Sequence, residues 1–287
     1  MSDDQSAQTV IQPTFVYSMF ASKLPKGRLA RLGWILAEGF LFTVAAIIIS
    51  YSLGAEQSGV FSIFLASASM SARVSSLLQD NENDYDLGKR GWHANPKTAF
   101  GFLALFLGLM LAYVGAALLL SDSRLAVSFR FAIELAGIND HSVLTSRFSS
   151  AGGVFFYNLR ILAAVFILGF LYRTYGMLLS LAWNAAVWGV VFVWLVRHGL
   201  ANSHQHLGIY LLRALVAILP HMLLEAFAYV MAGTAALFFS LALSKHEFGD
   251  RHYQRRMRAV RSLVVLSILA LYTAAWLESH LPRFMFS

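Results

Sequence analysis

A proline, a histidine and a glutamate lie within one apolar stretch of the sequence, ILPHMLLEAFAYVMAG, at residues 218–233. Ionisable groups are costly inside a membrane, so each of them needs a partner or a task. His221 and Glu225 are four residues apart, which places them on the same face of a helix. Pro220 has no amide N–H and favours a break in the helix. The stretch therefore predicts a polar site at membrane depth.

The helical face that carries His221 and Glu225 continues through small residues, which let another helix approach closely: Ala228, Ala232, Ala235 and Ala236. The opposite face is predicted to contact lipid, because it carries Leu223, Phe227, Val230, Leu237 and Leu241. We therefore expect His221 and Glu225 to point into the bundle or across a subunit interface. Two interpretations remain open: a hydrogen-bonded node that fixes helix register, with Asn158, Asn184 or Arg160 as partners, and a transport or proton-relay site.

Polar residues in other apolar segments extend this prediction. Asn184 falls near the centre of its segment, where an unpaired amide is penalised, so we expect it to have a partner on another helix. Glu278 falls near the end of the last segment, with His280 and Arg283 as candidate partners. The predicted intramembrane polar node comprises Asn158, Asn184, Pro220, His221, Glu225 and Glu278.

A metal site is the less favoured interpretation of these residues. The spacing His-x-x-x-Glu differs from the His-Glu-x-x-His pattern of zinc proteases, and two ligands are too few. His198, His204 and His206 could add ligands, but solvated loop histidines are the simpler interpretation. The acidic stretch 80–97 has Tyr85 where a calcium loop requires glycine, which favours a solvated protein-docking loop. We expect no catalytic residues, no metal and no cofactor, and hence no enzyme.

Composition sets the fold class. Of the 287 residues, 58% are hydrophobic and 13% are charged, and the mean hydropathy is +0.62. A soluble domain could not bury that much apolar surface, so the sequence predicts an all-α polytopic membrane protein. The net charge of +7 is concentrated near the ends of apolar runs, which suits topology setting and anionic lipid rather than nucleic acid.

Apolar runs predict a bundle of six or seven transmembrane helices. Five runs are clear candidates by length and apolarity, at 34–53, 98–121, 155–172, 175–196 and 261–281. The stretch 208–244 is too long for one straight span, so we expect a re-entrant helix at 208–219, a break at Pro220 and a span at 220–243. The segment 58–79 is ambiguous because it is serine-rich and contains Arg73.

The distribution of basic residues decides between six and seven transmembrane helices. Lys23, Lys26, Arg28 and Arg31 place the N-terminus in the cytoplasm, and the basic connection 245–260 should be cytoplasmic too. Both can be true only if 58–79 also spans, which gives seven spans and a C-terminus outside. Residues 11–32 are aromatic and basic, which favours an interfacial elbow helix before the first span.

Three stretches resemble the stage II sporulation protein M family, also called the DUF95 family. The first is FFYNLRILAAVFILGFLYRTYGMLLSLAWNAAVWGVVF, in which Asn158, Gly169, Gly176, Asn184 and Gly189 occupy the family's Asn and Gly positions. The second is ILPHMLLEAFAYVMAGTAALFFS, and the third is LYTAAWLESHLPRF, in which Glu278 and Pro282 match. Ala185 and Met222 replace glycines that are usual in the family.

The resemblance runs from residue 98 to the C-terminus. It implies a five-span domain at 98–287 that resembles ABC-2-type permeases, and it leaves 1–97 as an N-terminal extension with the elbow helix and one or two membrane helices. In spore-forming bacteria it implies a membrane partner of peptidoglycan-remodelling enzymes.

We therefore expect a non-enzymatic scaffold or permease-like subunit of a cell-envelope complex in the cytoplasmic membrane. Its expected partners are the lipid bilayer, further copies of itself, and an envelope-remodelling enzyme or a separate ATPase subunit. The alternative is a transporter or channel subunit for a small solute, ion or lipid, with a polar site at the Pro220 break.

Overall fold

The computed structural model describes residues 24–25, 27–54, 57–86, 96–135, 150–201, 206–245 and 247–286, without the side chains of 79–86, 96–97, 199, 201, 245 and 282–286. The predicted elbow helix lies mostly outside the described residues. The helices are α1 (Arg28–Ser52), α2 (Ser58–Asp86), α3 (Pro96–Leu119), α4 (Asp122–Ser128), α5 (Arg130–Leu135), α6 (Ala151–Tyr172), α7 (Thr174–Ala201), α8 (Leu207–Lys245) and α9 (Arg251–Phe286).

Seven of these helices are long and apolar enough to cross a membrane, which confirms the predicted all-α polytopic class. The candidate spans are Arg28–Ser52, Ser58–Leu78, Thr98–Leu119, Ala151–Tyr172, Thr174–His198, Leu207–Ser244 and Arg251–Leu281. Successive spans alternate in direction. We call the side with the α6–α7 turn the Arg173 side, and the side on which α7 ends the Arg197 side.

The ambiguous segment 58–79 is one of the seven helices, and its serines explain how it tolerates an apolar environment. The hydroxyl groups of Ser62, Ser67, Ser69 and Ser71 each donate to a backbone carbonyl of the preceding turn, at 2.7–2.8 Å. A hydroxyl group that bonds its own helix needs no partner elsewhere. The helix also continues to Asp86, so the connection to α3 is shorter than the predicted loop 80–97.

The predicted re-entrant helix at 208–219 and the break at Pro220 are wrong. Residues 207–245 form one helix of 39 residues with Pro220 inside it. The missing amide of Pro220 leaves the carbonyl of Val216 without its donor in the helix. The adjacent carbonyl oxygen of Ala217 lies 3.2 Å from the ring Nδ1 of His221. Tertiary packing supports the helix here, because α9 packs along α8 more extensively than any other pair of described helices pack together. Neighbouring helices and polar side chains commonly allow proline inside membrane helices in this way.

The second half of α8 is the central helix of the bundle. The small residues Ala228, Ala232, Ala235 and Ala236 are buried, as predicted. The opposite face is not left to lipid, however, because Val230, Leu237 and Leu241 are buried as well. Helices α3, α6, α7 and α9 all pack against α8. A helix that is apolar on every side is typical of such a central position.

Between α3 and α6, the chain turns back into the bundle from the Arg197 side. The sequence did not predict this turn. The short helices α4 and α5 bring the ring of Phe131 to 4.7 Å from that of Trp183, centroid to centroid. Trp183 precedes Arg197 by 14 residues, which corresponds to roughly 21 Å along α7. The junction residue Phe129 is buried. Its non-helical backbone is thus covered by protein, as is required at membrane depth.

The side chain of Arg197 caps the C-terminal end of α3. Its guanidinium donates to the carbonyl oxygens of Leu118 at 2.9 Å and Leu120 at 3.0 Å, and to the carboxylate of Asp122 at 2.9 Å. The last carbonyls of a helix have no partner within the helix, so an arginine from α7 satisfies them here. This structural role accounts for one arginine on the side that the charge distribution places outside the cell.

Substitution Arg197→Gln is expected to lower the free energy of unfolding by about 1–2 kcal/mol. Hydrogen bonds to charged groups contribute about 1.5–3 kcal/mol each, and the 28% exposure of the Arg197 side chain reduces that contribution. Thermal unfolding in detergent measures the effect. Arg124→Gln, at an exposed position of α4, is the control and should leave the midpoint unchanged. Equal effects of the two substitutions would contradict a specific role for Arg197.

Candidate functional site

The predicted polar node is partly assembled in the structure. His221 and Glu225 face the interior of the bundle from α8, with exposures of 2% and 3%. Glu278 of α9 lies close enough to Glu225 for their carboxyl groups to interact electrostatically. Asn158 and Asn184 are buried in α6 and α7. No hydrogen bond joins either of them to His221 or Glu225 in the described part of the chain.

The predicted amide and arginine partners have other environments. The Asn184 amide donates to the carbonyl oxygen of Ser180 in its own helix at 2.8 Å, where the sequence predicted a partner on another helix. Arg160 is exposed on α6 and therefore does not point into the node. In the part of the chain that the structure describes, neither Asn184 nor Arg160 therefore joins α8 to a neighbouring helix by a hydrogen bond.

Tyr229 completes a row of polar groups along α8. Its hydroxyl donates to Oε1 of Glu225 at 2.5 Å, and both residues are buried. Tyr229 also interacts electrostatically with Glu278 of α9 and with Tyr157 of α6. Sequence reasoning missed Tyr229, although positions 221, 225 and 229 follow the same four-residue spacing. We call His221, Glu225, Tyr229 and Glu278 the polar cluster.

Trp188 of α7 covers the polar cluster from a second helix. Its ring meets the imidazole of His221 edge to face, with centroids 5.3 Å apart, and it adjoins the carboxyl group of Glu225. The large indole excludes other groups from this side. Two buried atoms of the cluster have no hydrogen-bond partner among the described residues: Nε2 of His221 and Oε2 of Glu225.

The remaining histidines of the predicted site have local contacts. His198 stacks on Trp194, with ring centroids 4.2 Å apart, and Nδ1 of His206 accepts from the amide of Gly208 at 3.3 Å. His280 stacks on Trp276 and does not pair with Glu278. His204 and the side chain of Arg283 lie outside the described residues. In the ranges that the structure describes, no three His, Asp or Glu side chains are grouped so that they could hold a metal ion.

A second buried polar site joins α1 and α2, and sequence reasoning did not pair its members. The guanidinium of Arg73 donates to both carboxylate oxygens of Glu38 at 2.6 Å, from Nε and Nη2. The indole of Trp34 donates to Oε1 of the same carboxylate at 2.8 Å. A signal was present. Glu38 lies 14 residues before the end of α1, and Arg73 lies 15 residues after the start of α2, so an antiparallel pair brings them to one depth.

These features define a polytopic helical membrane protein with charged groups buried between its helices. A model of the stage II sporulation protein M family matches residues 40–281, and the chain belongs to this family. The match begins at residue 40 and therefore covers most of the first two spans, beyond the region from residue 98 that carries the sequence resemblance. No curated protein and no solved structure gives a significant match to the chain.

Proposed function

We propose that the chain is a non-enzymatic subunit of a cell-envelope complex, acting as a scaffold or permease-like component in the cytoplasmic membrane. The observation that carries this proposal is that nearly every residue in the described ranges belongs to a helix, and that most of these residues lie in the seven candidate spans. A peptidoglycan-remodelling or ATPase activity would therefore be supplied by a separate chain. The family resemblance implies a bundle like that of ABC-2-type permeases, which favours an assembly of this kind.

In this proposal the Arg173 side faces the cytoplasm. The first turns of α9 carry Arg251, Arg258 and Arg261 on this side, all of them exposed. Basic residues next to membrane spans are retained in the cytoplasm, and they bind anionic lipid or acidic partner surfaces there. The cytoplasmic N-terminus and the external C-terminus follow from the same orientation.

The absence of cysteine from the sequence makes this proposal directly testable. A single cysteine at Arg258 should be protected from a membrane-impermeant maleimide in intact cells, and one at Ser123 should react. Photo-crosslinking from the Arg258 position should then capture an ATPase, and crosslinking from Ser123 an envelope enzyme or a second copy of the chain. Recovery of an uncrosslinked monomer from both positions, with the labelling pattern reversed, would contradict the proposal.

A second candidate function is a transporter or channel subunit. The observation in its favour is the pair of partnerless buried atoms, since Nε2 of His221 and Oε2 of Glu225 together could bind a solute. No helix break supports it, because α8 continues through Pro220.

Two substitutions distinguish these functions. For a transporter, Glu225→Gln and His221→Ala should abolish flux in proteoliposomes while the fold persists. For a scaffold, the same changes should only lower stability, by roughly 1–2 kcal/mol for a lost buried bond. Solute or ion flux and thermal unfolding are measured on the same preparations. Glu134→Gln, at an exposed position of α5, is the matched control, and its flux and stability should equal those of the unmodified protein.

A further inference from the structure

The two partnerless atoms of the polar cluster have defined hydrogen-bonding roles. The neighbour of His221 Nδ1 is the carbonyl oxygen of Ala217, which can only accept. Nδ1 must therefore carry the ring hydrogen, and in the neutral imidazole Nε2 then presents a lone pair. Oε1 of Glu225 accepts from Tyr229, which leaves Oε2 free. Both partnerless atoms are acceptors until a hydrogen is added to one of them.

In the described part of the chain, the groups around Glu225 include a second carboxyl group and no lysine or arginine. Helix α9 contributes Glu278, α6 contributes Tyr157 next to Tyr229, and α7 contributes the neutral Trp188. Within the described residues, no lysine or arginine forms an ion pair with Glu225 or Glu278, in contrast to Glu38, which Arg73 neutralises. Charged groups at membrane depth require compensation, and a proton taken up from solution supplies it for a carboxyl group.

We propose that His221, Glu225 and Glu278 form a proton-binding site inside the bundle. Glu225 holds a hydrogen on Oε2, and Nε2 of His221 accepts that proton when the two groups come into contact. The transfer converts a carboxylic acid and an imidazole into a carboxylate and an imidazolium, so the net charge does not change. Glu278 of α9, which interacts electrostatically with Glu225, is a second site for a proton.

The available ligands favour a proton over a metal cation. Sodium, magnesium and calcium ions prefer several oxygen ligands, and His221 offers a nitrogen lone pair. The described residues contain no group of three metal-binding side chains around Glu225. The inference goes beyond the proposed function, because a scaffold and a permease could equally contain a protonated carboxyl pair.

Labelling with dicyclohexylcarbodiimide, an apolar electrophile that reacts with protonated carboxyl groups, tests the proposal. Mass spectrometry of the full-length protein in proteoliposomes locates the modification. We expect label on Glu225 and Glu278 at neutral pH, and a decrease of about tenfold for each pH unit once the site loses its proton. Glu38 is the internal control and should stay unlabelled, since hydrogen bonds from Arg73 and Trp34 occupy both of its carboxyl oxygens. Glu225→Gln and Glu278→Gln should each remove one labelled position.

Two further measurements keep the test decisive. Infrared difference spectra recorded across a pH change should show a carboxylic acid band that disappears in the Glu225→Gln, Glu278→Gln double variant. Replacing choline by sodium at constant pH should leave labelling unchanged. The proposal is overturned if neither labelling nor the infrared band reports a protonated carboxyl group, or if sodium protects Glu225. None of these outcomes depends on the capture of a partner, so the proposed function is tested separately.

Discussion

Substitution Gly108→Ala is expected to prevent stable folding of the protein. Gly108 lies in α3 where the backbone of α1 crosses it. A Cβ atom at this position would overlap the carbonyl group of Leu36 and would lie 3.0 Å from the amide nitrogen of Phe40. Over-packing usually costs about 1–3 kcal/mol when side chains can move. Because the opposing atoms here belong to a helix backbone, we expect the loss to be at the upper end of that range or beyond.

The same helix provides the control for this substitution. Gly115 has no heavy atom within 4 Å of the position that a Cβ would occupy. Since alanine favours helix over glycine by about 1 kcal/mol, Gly115→Ala should be neutral or stabilising. Size-exclusion profiles and thermal unfolding in detergent compare the two variants. A folded Gly108→Ala protein, as stable as Gly115→Ala, would show that α1 and α3 do not approach this closely.

Removing either member of the buried Glu38–Arg73 pair is expected to lower the free energy of unfolding by about 3–5 kcal/mol. The side chains are 11% and 5% exposed, and two hydrogen bonds of 2.6 Å join them. Glu38→Gln removes the carboxylate from the charged Arg73 guanidinium. Arg73→Met removes the guanidinium from the carboxylate, to which the Trp34 indole still donates. Each single variant thus breaks a buried ion pair and keeps one of its two charges inside the bundle.

The double variant Glu38→Gln, Arg73→Met should recover most of the lost stability. It contains no charge, and the glutamine oxygen can still accept from Trp34. Replacing both members of a buried pair with neutral groups is often close to neutral in energy. Glu134→Gln interrupts the exposed pair with Arg130 and should have no measurable effect, since exposed ion pairs contribute little. A double variant no more stable than the single ones would argue against an isolated ion pair.

The spans could be predicted from the sequence because apolar length is a local property. Seven apolar helices agree with the seven spans inferred, and the inference for 58–79 came from counting basic connections. The break at Pro220 could not be predicted correctly, because whether proline interrupts a membrane helix depends on neighbours. The extensive packing of α9 along α8 is a tertiary feature that no window of sequence contains.

The sequence predicted which face of the helix carries the candidate site, but not which residues of other helices contact it. Periodicity correctly predicted that the side chains of His221 and Glu225 point into the bundle. It could not identify Trp188 as the neighbour from α7, because helix order and rotation are set by packing. The same limit made the α8 face with Val230 and Leu237 look lipid-exposed, since a buried apolar face and a lipid-facing one have the same composition.

The ion pair between α1 and α2 also constrains how the chain enters the membrane. An arginine within a lone helix raises the cost of insertion, by up to about 2.5–3.5 kcal/mol at the helix centre, and α2 is among the less apolar spans. Paired with Glu38, its charge is compensated before the helix meets lipid. We therefore expect α1 to remain at the translocon until α2 has been synthesised, so that the two helices insert into the bilayer together as a hairpin.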